Sequence, residues 1–170
     1  MSNTSPIPPL APDIFTRSKP EVIQINVSSG GVPKLPIGLV LVDERGILGD
    51  KHADRRHHGA PHQALSLYAL ELVLALQAEG HPIDAGAAGE NITTRGLDWA
   101  KLVPGRRLRL GTVVAELSEW ATPCATIAHC FSEGQFKRIS DKLHPGWSRA
   151  YAAVIEGGVI ASGDGITILP

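Results

Sequence analysis

The feature that most constrains the fold is a series of short apolar segments, each of which ends at glycine or another turn-forming residue. Apolar and polar residues alternate in the first of them, EVIQINVS from Glu21, and a period of two is typical of a strand with one buried face. The pattern returns further along the chain in IGLVLVDERGILGD, RRLRLG, VVAELSEW, AYAAVIEGG and GDGITIL. Regularly spaced short segments of this kind predict a mostly β protein.

One segment has the composition of a helix. From Ala64 to Glu79 the chain is rich in leucine and alanine, apolar residues recur at helical spacing, and Gly80 follows as a stop. We therefore expect a β-barrel-like domain with one main helix and a few short helices, because closing the barrel hides the strand edges from other chains.

Length and composition set the domain organisation. The 170 residues are enough for one domain with its own core, and we place that domain at residues 21–170. Residues 1–20 contain five prolines and little periodicity, which predicts an extended N-terminal arm. With 43% hydrophobic residues and a net charge of -1, the chain has no overall attraction for nucleic acid, so any anion site must be a local cluster.

Apolar runs and cysteine spacing predict the cellular compartment and whether the protein associates with a membrane. No apolar run reaches the roughly 18 residues that a membrane helix needs, and none at the N-terminus has the length of a signal peptide. Cys124 and Cys130 form neither a disulfide framework nor a four-cysteine zinc spacing. We expect a cytoplasmic protein with neither membrane nor nucleic acid as a partner.

The segment GDKHADRRHHGAPHQAL, from Gly49 to Leu65, contains four of the seven histidines. Three interpretations stay open for it. Converging histidines would bind zinc, although no established zinc spacing is present. Basic side chains would bind phosphate through charge-assisted hydrogen bonds, and this interpretation draws on Lys34, Lys51, Arg55 and Arg56. A solvated loop, in which His57 and His62 face water and His58 hydrogen-bonds the backbone, is the third.

The two cysteines occupy different contexts. Cys124 follows a proline at the end of a predicted strand, where a side chain can project into a cleft. A thiolate is a soft metal ligand, and nearby cations make it a better nucleophile. Burial in the core is the alternative for either cysteine, and we assign it to Cys130, in a stretch predicted to be helical.

Five motifs in a fixed order resemble the MOSC domain, the module named after the C-terminal part of molybdenum cofactor sulfurase. They are INVSSGGVPKLP, GILGDKHADRRHHGAPHQALSLYALE, GAAGENITTRGLD, VPGRRLRLG and TPC, and RAYAAVIEGGVIASGDGITIL resembles the family's closing strands. The resemblance runs from about Glu21 to Pro170. It implies a β-rich barrel-like fold with a pocket for the molybdenum cofactor (molybdopterin), a pterin dithiolene that carries a phosphate.

The resemblance also implies roles for single residues. Cys124 matches the family's cysteine, which implies a catalytic residue that ligates molybdenum or carries a transferred sulfur. Asn91 and Thr93 match a loop that implies binding of the pterin and its phosphate. We expect Cys124 to face the same cleft as Asn91, and Cys130 to point into the core.

Positive charge for an anionic cofactor would come from Lys34 and Arg56, and His58 matches the histidine of the family's usual His-Gly-Gly. All three are expected to line the same cleft. The chain departs from the family where Ala60 replaces the second glycine and Gln63 stands where relatives commonly have arginine. A methyl group at position 60 narrows the approach of a ligand to the backbone, and Gln63 brings no charge.

Three functions follow as hypotheses. The first, implied by the resemblance, is an oxidoreductase that reduces N-hydroxylated small molecules and takes electrons from a separate reductase, because the sequence has no flavin, haem or iron–sulfur motif. The second is a sulfur or cofactor carrier that receives sulfur from a donor protein as a Cys124 persulfide. The third is a zinc protein with a histidine site.

Overall fold

The computed structural model of the protein describes residues 19–51 and 60–170. Within these residues the chain forms one α-helix, α1 (Leu70–Ala78), and eleven strands. The strands are β1 (Glu21–Val27), β2 (Leu35–Ile37), β3 (Leu39–Asp43), β4 (Gly46–Ile47), β5 (Leu65–Ala69), β6 (Ile92–Arg95), β7 (Arg107–Leu110), β8 (Val113–Trp120), β9 (Ala150–Glu156), β10 (Gly158–Ala161) and β11 (Ile166–Ile168).

Eight strands form one mixed sheet in the order β11-β7-β8-β9-β5-β6-β1-β2, and β10-β3-β4 form a second, smaller sheet. Only the β5–β6 pair is parallel among the strands described, and the others are antiparallel. Helix α1 follows β5 directly and provides part of the crossover to β6, as a parallel neighbour requires.

Backbone hydrogen bonds bring the large sheet back towards itself. The Val22 N–H donates to the Asp164 carbonyl at 2.8 Å, and the Ile166 N–H donates to the Pro20 carbonyl at 2.8 Å. These bonds join the start of β1 to the turn before β11, at the other end of the strand order. The predicted mostly β, barrel-like fold with one main helix is confirmed.

Alternation along the strands fills the interior. In β7, Leu108 and Leu110 are completely buried, while Arg107 and Arg109 are exposed. Strand β3 alternates in the same way, and apolar side chains from most strands form one continuous core. None of the helices in the described part of the chain is long and apolar enough to cross a membrane.

The predicted helix from Ala64 to Glu79 is wrong in its first turn and a half. Leu65–Ala69 is strand β5, with every residue buried, and the helix begins at Leu70. An apolar run that is buried on both faces has no period of two, so the sequence alone does not separate this strand from the helix that follows it. The glycine-rich segment AGAAGENITTRGLDWAKL has a sequence that predicts a loop with one short helical turn. It also contains strand β6, so the loop prediction is wrong there, and the helical turn is the 3₁₀ helix Trp99–Lys101.

Between β8 and β9 the chain forms three short 3₁₀ helices, Ala125–Cys130, Ser132–Gly134 and Phe136–Ile139. The Ala121 N–H donates to the Arg149 carbonyl at 2.8 Å, so this excursion starts and ends at neighbouring points of the sheet. Residues 1–18 lie outside the described residues, and the extended arm predicted for residues 1–20 remains a prediction.

Candidate functional site

Three polar side chains from distant parts of the chain meet in one cluster. Lys34 lies between β1 and β2, Asp50 follows β4, and Asn91 immediately precedes β6. The Lys34 ammonium forms an ion pair with the Asp50 carboxylate, and the Asn91 amide donates to the same carboxylate at 2.8 Å. The Asn91 side-chain oxygen accepts the Ser66 N–H at 3.1 Å, which fixes Asn91 to the start of β5. We call Lys34, Asp50 and Asn91 the lysine cluster.

A second group of polar side chains lies beside it. Glu90 is completely buried, and its Oε1 accepts the Gly86 N–H at 2.6 Å and the Thr93 hydroxyl at 3.1 Å. The Asn26 amide donates to the Thr93 oxygen at 3.1 Å. Within the described residues, Glu90 Oε2 has no hydrogen-bond partner. We call Asn26, Glu90 and Thr93 the glutamate cluster.

The loop before β6 connects these clusters and depends on glycine. Gly86 and Gly89 both have positive φ, 83° and 89°, which glycine adopts without strain. A Cβ at position 86 would lie 2.5 Å from the Lys34 carbonyl oxygen. The Lys34 N–H in turn donates to the Gly86 carbonyl at 3.1 Å. The two backbones therefore touch, and this contact sets where the Lys34 side chain starts.

Arg149, just before β9, brings a second buried cation to the same place. Its Nη1 is 3.8 Å from the position that a Cβ on Gly89 would occupy, and its guanidinium lies 5.9 Å from the centre of the Tyr151 ring. The residue is 8% exposed. Lys34 has Asp50 as a partner, whereas the Arg149 guanidinium forms no ion pair within residues 19–51 and 60–170.

Burial shifts the titration of both clusters. The cost of removing an ammonium from water lowers the pKa of Lys34, and the hydrogen bond from Lys34 to Asp50 opposes that shift. Burial raises the pKa of Glu90, and the Gly86 N–H opposes that shift by stabilising the carboxylate. Arg149 interacts electrostatically with both groups. The site is therefore a set of coupled charges with little access to water.

The two cysteines have opposite environments. Cys124 is exposed, has an extended backbone and immediately precedes the 3₁₀ helix Ala125–Cys130. In the described residues its thiol makes no hydrogen bond. Cys130 is 1% exposed, and its thiol donates to the Ala87 carbonyl at 3.2 Å, behind the glycine loop. Burial, with a smaller contribution from Glu90, raises the pKa of Cys130 to about 11. The prediction that Cys130 points into the core is confirmed.

Much of the histidine-rich segment lies outside the described residues, including Arg56 and His58. His62 is exposed and lies 3.3 Å from a Glu119 carboxylate oxygen, which also accepts the Gln63 amide at 2.6 Å. Gln63 is thus engaged with β8. Among the residues that the structure describes, no three histidine, cysteine or acidic side chains are grouped to bind a metal ion.

Of the predicted site residues, the structure brings Lys34, Asn91 and Thr93 together. Cys124 lies after β8, three residues beyond Ala121, whose N–H donates to the Arg149 carbonyl. Thr93 is completely buried, so it contributes through Glu90 and Asn26. The functional roles of these residues, and those of Arg56 and His58, stay predictions.

Sequence reasoning missed three members of the site. Asp50 lies in the histidine-rich segment, where only the histidines and the basic residues were considered as ligands. Glu90 stands beside Asn91 in the GEN motif, and Arg149 lies in RAYAAVIEGG, which was predicted only as a strand. No local signal distinguishes Glu90, because an acid beside a glycine is equally typical of a loop exposed to water. Arg149 has no local signal either, since only tertiary structure brings it to Gly89.

Comparison with known proteins identifies the family. The family model of the MOSC domain matches residues 54–167, more than half of the chain. The chain belongs to the MOSC domain family. Glu90, Asn91, Cys124 and Arg149 lie inside the matched region of this MOSC protein, whereas Lys34 and Asp50 precede it.

Two relatives are each 28% identical to this MOSC protein over the aligned residues. They are the uncharacterized protein YflK of Bacillus subtilis, matched over 82% of this chain and 63% of its own length, and protein YiiM of Escherichia coli, matched over 73% and 57%. The chain therefore spans less than two-thirds of either relative. The crystal structure of YiiM from Geobacillus stearothermophilus has the same fold, with a TM-score of 0.70 and 24% identity over 89% of this chain and 75% of that one.

Proposed function

We propose that this MOSC protein binds the molybdenum cofactor beside Lys34 and Arg149, with Cys124 as the metal ligand, and reduces N-hydroxylated small molecules. The observation that carries the proposal is the Arg149 side chain, which belongs to a residue only 8% exposed and forms no ion pair in the described residues. Glu90 acts on it through its charge alone, without a hydrogen bond. A phosphate on the cofactor would give the Arg149 guanidinium a direct anionic partner.

The donor set suits a phosphate-bearing ligand. A guanidinium offers a planar pair of N–H donors that matches two phosphate oxygens, and an ammonium adds a second, compact charge. Arg149 and Lys34 are these two groups. Asn91 and Thr93 support them by fixing the loop that carries Gly86 and connects to Lys34 through the backbone.

Cys124 would hold the metal. It lies beyond the end of β8, three residues after Ala121, whose N–H bonds the Arg149 carbonyl. A thiolate ligand suits a soft metal centre, and the exposure of Cys124 leaves it accessible to one. When bound, the cofactor supplies the redox chemistry for reduction of the substrate. Electrons would come from a separate reductase, and the proposed location is the cytoplasm.

The test is metal and pterin analysis of protein made in a host that synthesises the cofactor. Wild type is expected to contain molybdenum and pterin in equal amounts. Arg149→Met should lose both, and Cys124→Ala should lose molybdenum at least in part. Arg109→Met, which removes an exposed cation from β7, and Thr126→Ala, which alters an exposed residue next to Cys124, serve as matched controls and should match wild type. Protein without molybdenum and pterin, in spite of a competent host, would refute the proposal.

A sulfur or cofactor carrier is the second candidate, and the exposure of Cys124 favours it, because a donor protein must reach the thiol directly. The Cys124 thiolate would take the outer sulfur of a donor persulfide, and the donor would leave as a thiolate. Sulfur released by cyanide from wild type but not from Cys124→Ala, without molybdenum, would support this function. Zinc in the same samples would support the histidine site instead.

A further inference from the structure

Glu90 is unusual among the charged residues of the site. It is 0% exposed, and its Oε2 has no hydrogen-bond partner in the described part of the chain, although Oε1 is fully used by Gly86 and Thr93. An ionised carboxylate in this place keeps a bare charge on Oε2, and a protonated one keeps an unshared O–H. Neither form has a hydrogen-bond partner for Oε2, so the equilibrium between the ionised and the protonated carboxyl depends on the charges nearby.

The groups that face Glu90 come from several elements. Lys34 and Arg149 are the cations, and they interact with it electrostatically. Asp50 is the second acid of the site and is already paired with Lys34. Tyr68 of β5 and Cys130 of the 3₁₀ helix Ala125–Cys130 are neutral neighbours, and each donates a hydrogen bond to a backbone carbonyl. The pKa of both is raised by burial and by Glu90.

While Glu90 is ionised, the charges of the site balance in the absence of a ligand. Lys34 and Asp50 cancel each other, and Arg149 and Glu90 form the second opposite pair, although they make no direct hydrogen bond. An anion that binds to Arg149 neutralises the positive charge that stabilises the Glu90 carboxylate in the free protein. It also adds a like charge close to that carboxylate, and in a dry site both effects favour the protonated acid.

We propose that Glu90 takes up one proton from solvent when an anion binds beside Lys34 and Arg149. The proton adds to the carboxylate, so one negative charge disappears from the protein as the anion arrives. Glu90 is thus a positioning residue that keeps the buried charge of the pocket close to constant while its Oε1 continues to hold Gly86 and Thr93. The inference rests on the anion pocket of the proposed function and goes beyond it by coupling that pocket to pH.

Coupling of this kind has a fixed sign. Because protonation of Glu90 favours the bound state, the affinity for the anion falls as pH rises between the pKa of Glu90 in the free protein and its pKa in the complex. Linkage limits the fall to about tenfold per pH unit for one proton. Burial already raises the pKa of Glu90 in the free protein, which moves this window up from the usual range of carboxylates.

Sulfate is a suitable probe, because it stays a dianion at neutral pH and does not itself exchange protons. Titration calorimetry of the cofactor-free full chain, in buffers with different heats of ionisation, counts the protons bound with each sulfate. For wild type we expect uptake approaching one proton at a pH above the usual pKa of a glutamate, and an affinity that falls with pH by up to about tenfold per unit. Glu90→Gln keeps the shape and the Oε1 acceptor and should bind sulfate with the uptake largely lost. Glu116→Gln is the control and should behave as wild type, because Glu116 lies on β8 and pairs with Arg107 of β7.

The outcomes separate the two proposals. Sulfate binding without proton uptake, or with uptake unchanged in Glu90→Gln, would overturn the role of Glu90 and leave the anion pocket intact. No sulfate binding by wild type, or binding unaffected by Arg149→Met, would overturn the pocket and the coupling together. Should Glu90→Gln fail to fold, the ¹³C shift of the Glu90 carboxyl in wild type decides the question, because sulfate must move it towards the value of the protonated acid.

Discussion

Arg138 and Arg149 lie eleven residues apart on either side of Trp147, and the protein uses them in opposite ways. Arg138 donates to Glu79 through two nitrogens, at 2.9 and 2.6 Å, and its guanidinium stacks 3.8 Å from the centre of the Trp147 ring. Arg149 is more buried, yet in the described residues no carboxylate hydrogen-bonds to it.

The difference between the two arginines indicates where a ligand would bind. Arg138 satisfies its charge with Glu79 and so ties the 3₁₀ segment to the end of α1. Arg149 lies against Gly89 in the glycine-rich loop, and among the described residues it forms no ion pair, whereas Lys34 pairs with Asp50. A cation whose charge is balanced within the fold stabilises the fold, whereas one held in a dry site without a partner is ready for an anion.

Breaking the lysine cluster should give the largest effect. Asp50→Asn keeps the shape but turns an amide donor towards the Lys34 ammonium and the Asn91 amide, and it leaves a buried lysine uncompensated. We expect the free energy of unfolding to fall by about 3–5 kcal/mol in urea denaturation. Glu116→Gln, in the exposed pair with Arg107, should cost less than about 1 kcal/mol. Equal effects would mean that the buried pair is worth no more than a surface one.

The two cysteines differ in their environments, as the two arginines do. Cys130 packs against the back of the glycine loop with a pKa of about 11, so at pH 8 only about one thiol in a thousand is ionised. Cys124 is exposed. We expect iodoacetamide to modify Cys124 at least about 100-fold faster than Cys130 in the folded protein. Rates are compared in Cys124→Ala and Cys130→Ala, and loss of the fast phase in Cys130→Ala alone would contradict the assignment.

Replacing each of the two arginines in turn should give a smaller effect, and only one of the two replacements should weaken sulfate binding. Arg149→Met should weaken sulfate binding by about 10- to 100-fold, because a hydrogen bond to a charged group is worth roughly 1.5–3 kcal/mol. Arg138→Met should leave sulfate affinity within about twofold and lower the melting temperature. If both variants bind sulfate equally well, the distinction between the two arginines fails.

The smallest effect should come from the Arg138 side of the comparison and should depend on pH. The hydrogen bonds from Arg138 lower the pKa of Glu79, so the stabilisation is present above the pKa of an unfolded glutamate, about 4.3. It disappears as pH falls through the lower pKa of the folded state. We expect Glu79→Gln to cost less than about 1 kcal/mol at pH 7 and still less as the pH falls through the lowered pKa of Glu79, as measured by urea denaturation. A cost that does not change with pH would show that charge plays no part.

Parts of the fold and of the site follow from the sequence, and particular elements show where prediction stops. The alternation in EVIQINVS, RRLRLG and VVAELSEW predicts β1, β7 and β8, and β7 keeps it in the structure, with one buried and one exposed face. In β1 a shift of register between Val22 and Gln24 interrupts the alternation, and β8 begins with three buried residues. Strand β5 is buried on both faces, so its sequence merges with the helix that follows. Lys34 and Asn91 were predicted by resemblance, and the structure brings them together through Asp50, which was not predicted.

By itself the sequence determined the β-rich character of the chain, its single main helix, its motifs and the different contexts of its two cysteines, because these are local properties of spacing and residue type. Tertiary structure alone decided which charges are satisfied. Glu79 and Arg138, or Lys34 and Asp50, are far enough apart in sequence that no pattern pairs them. Whether a buried charge has a partner depends on which loops the closed sheet brings together, and that is why Arg149 and Glu90 emerged only from the fold.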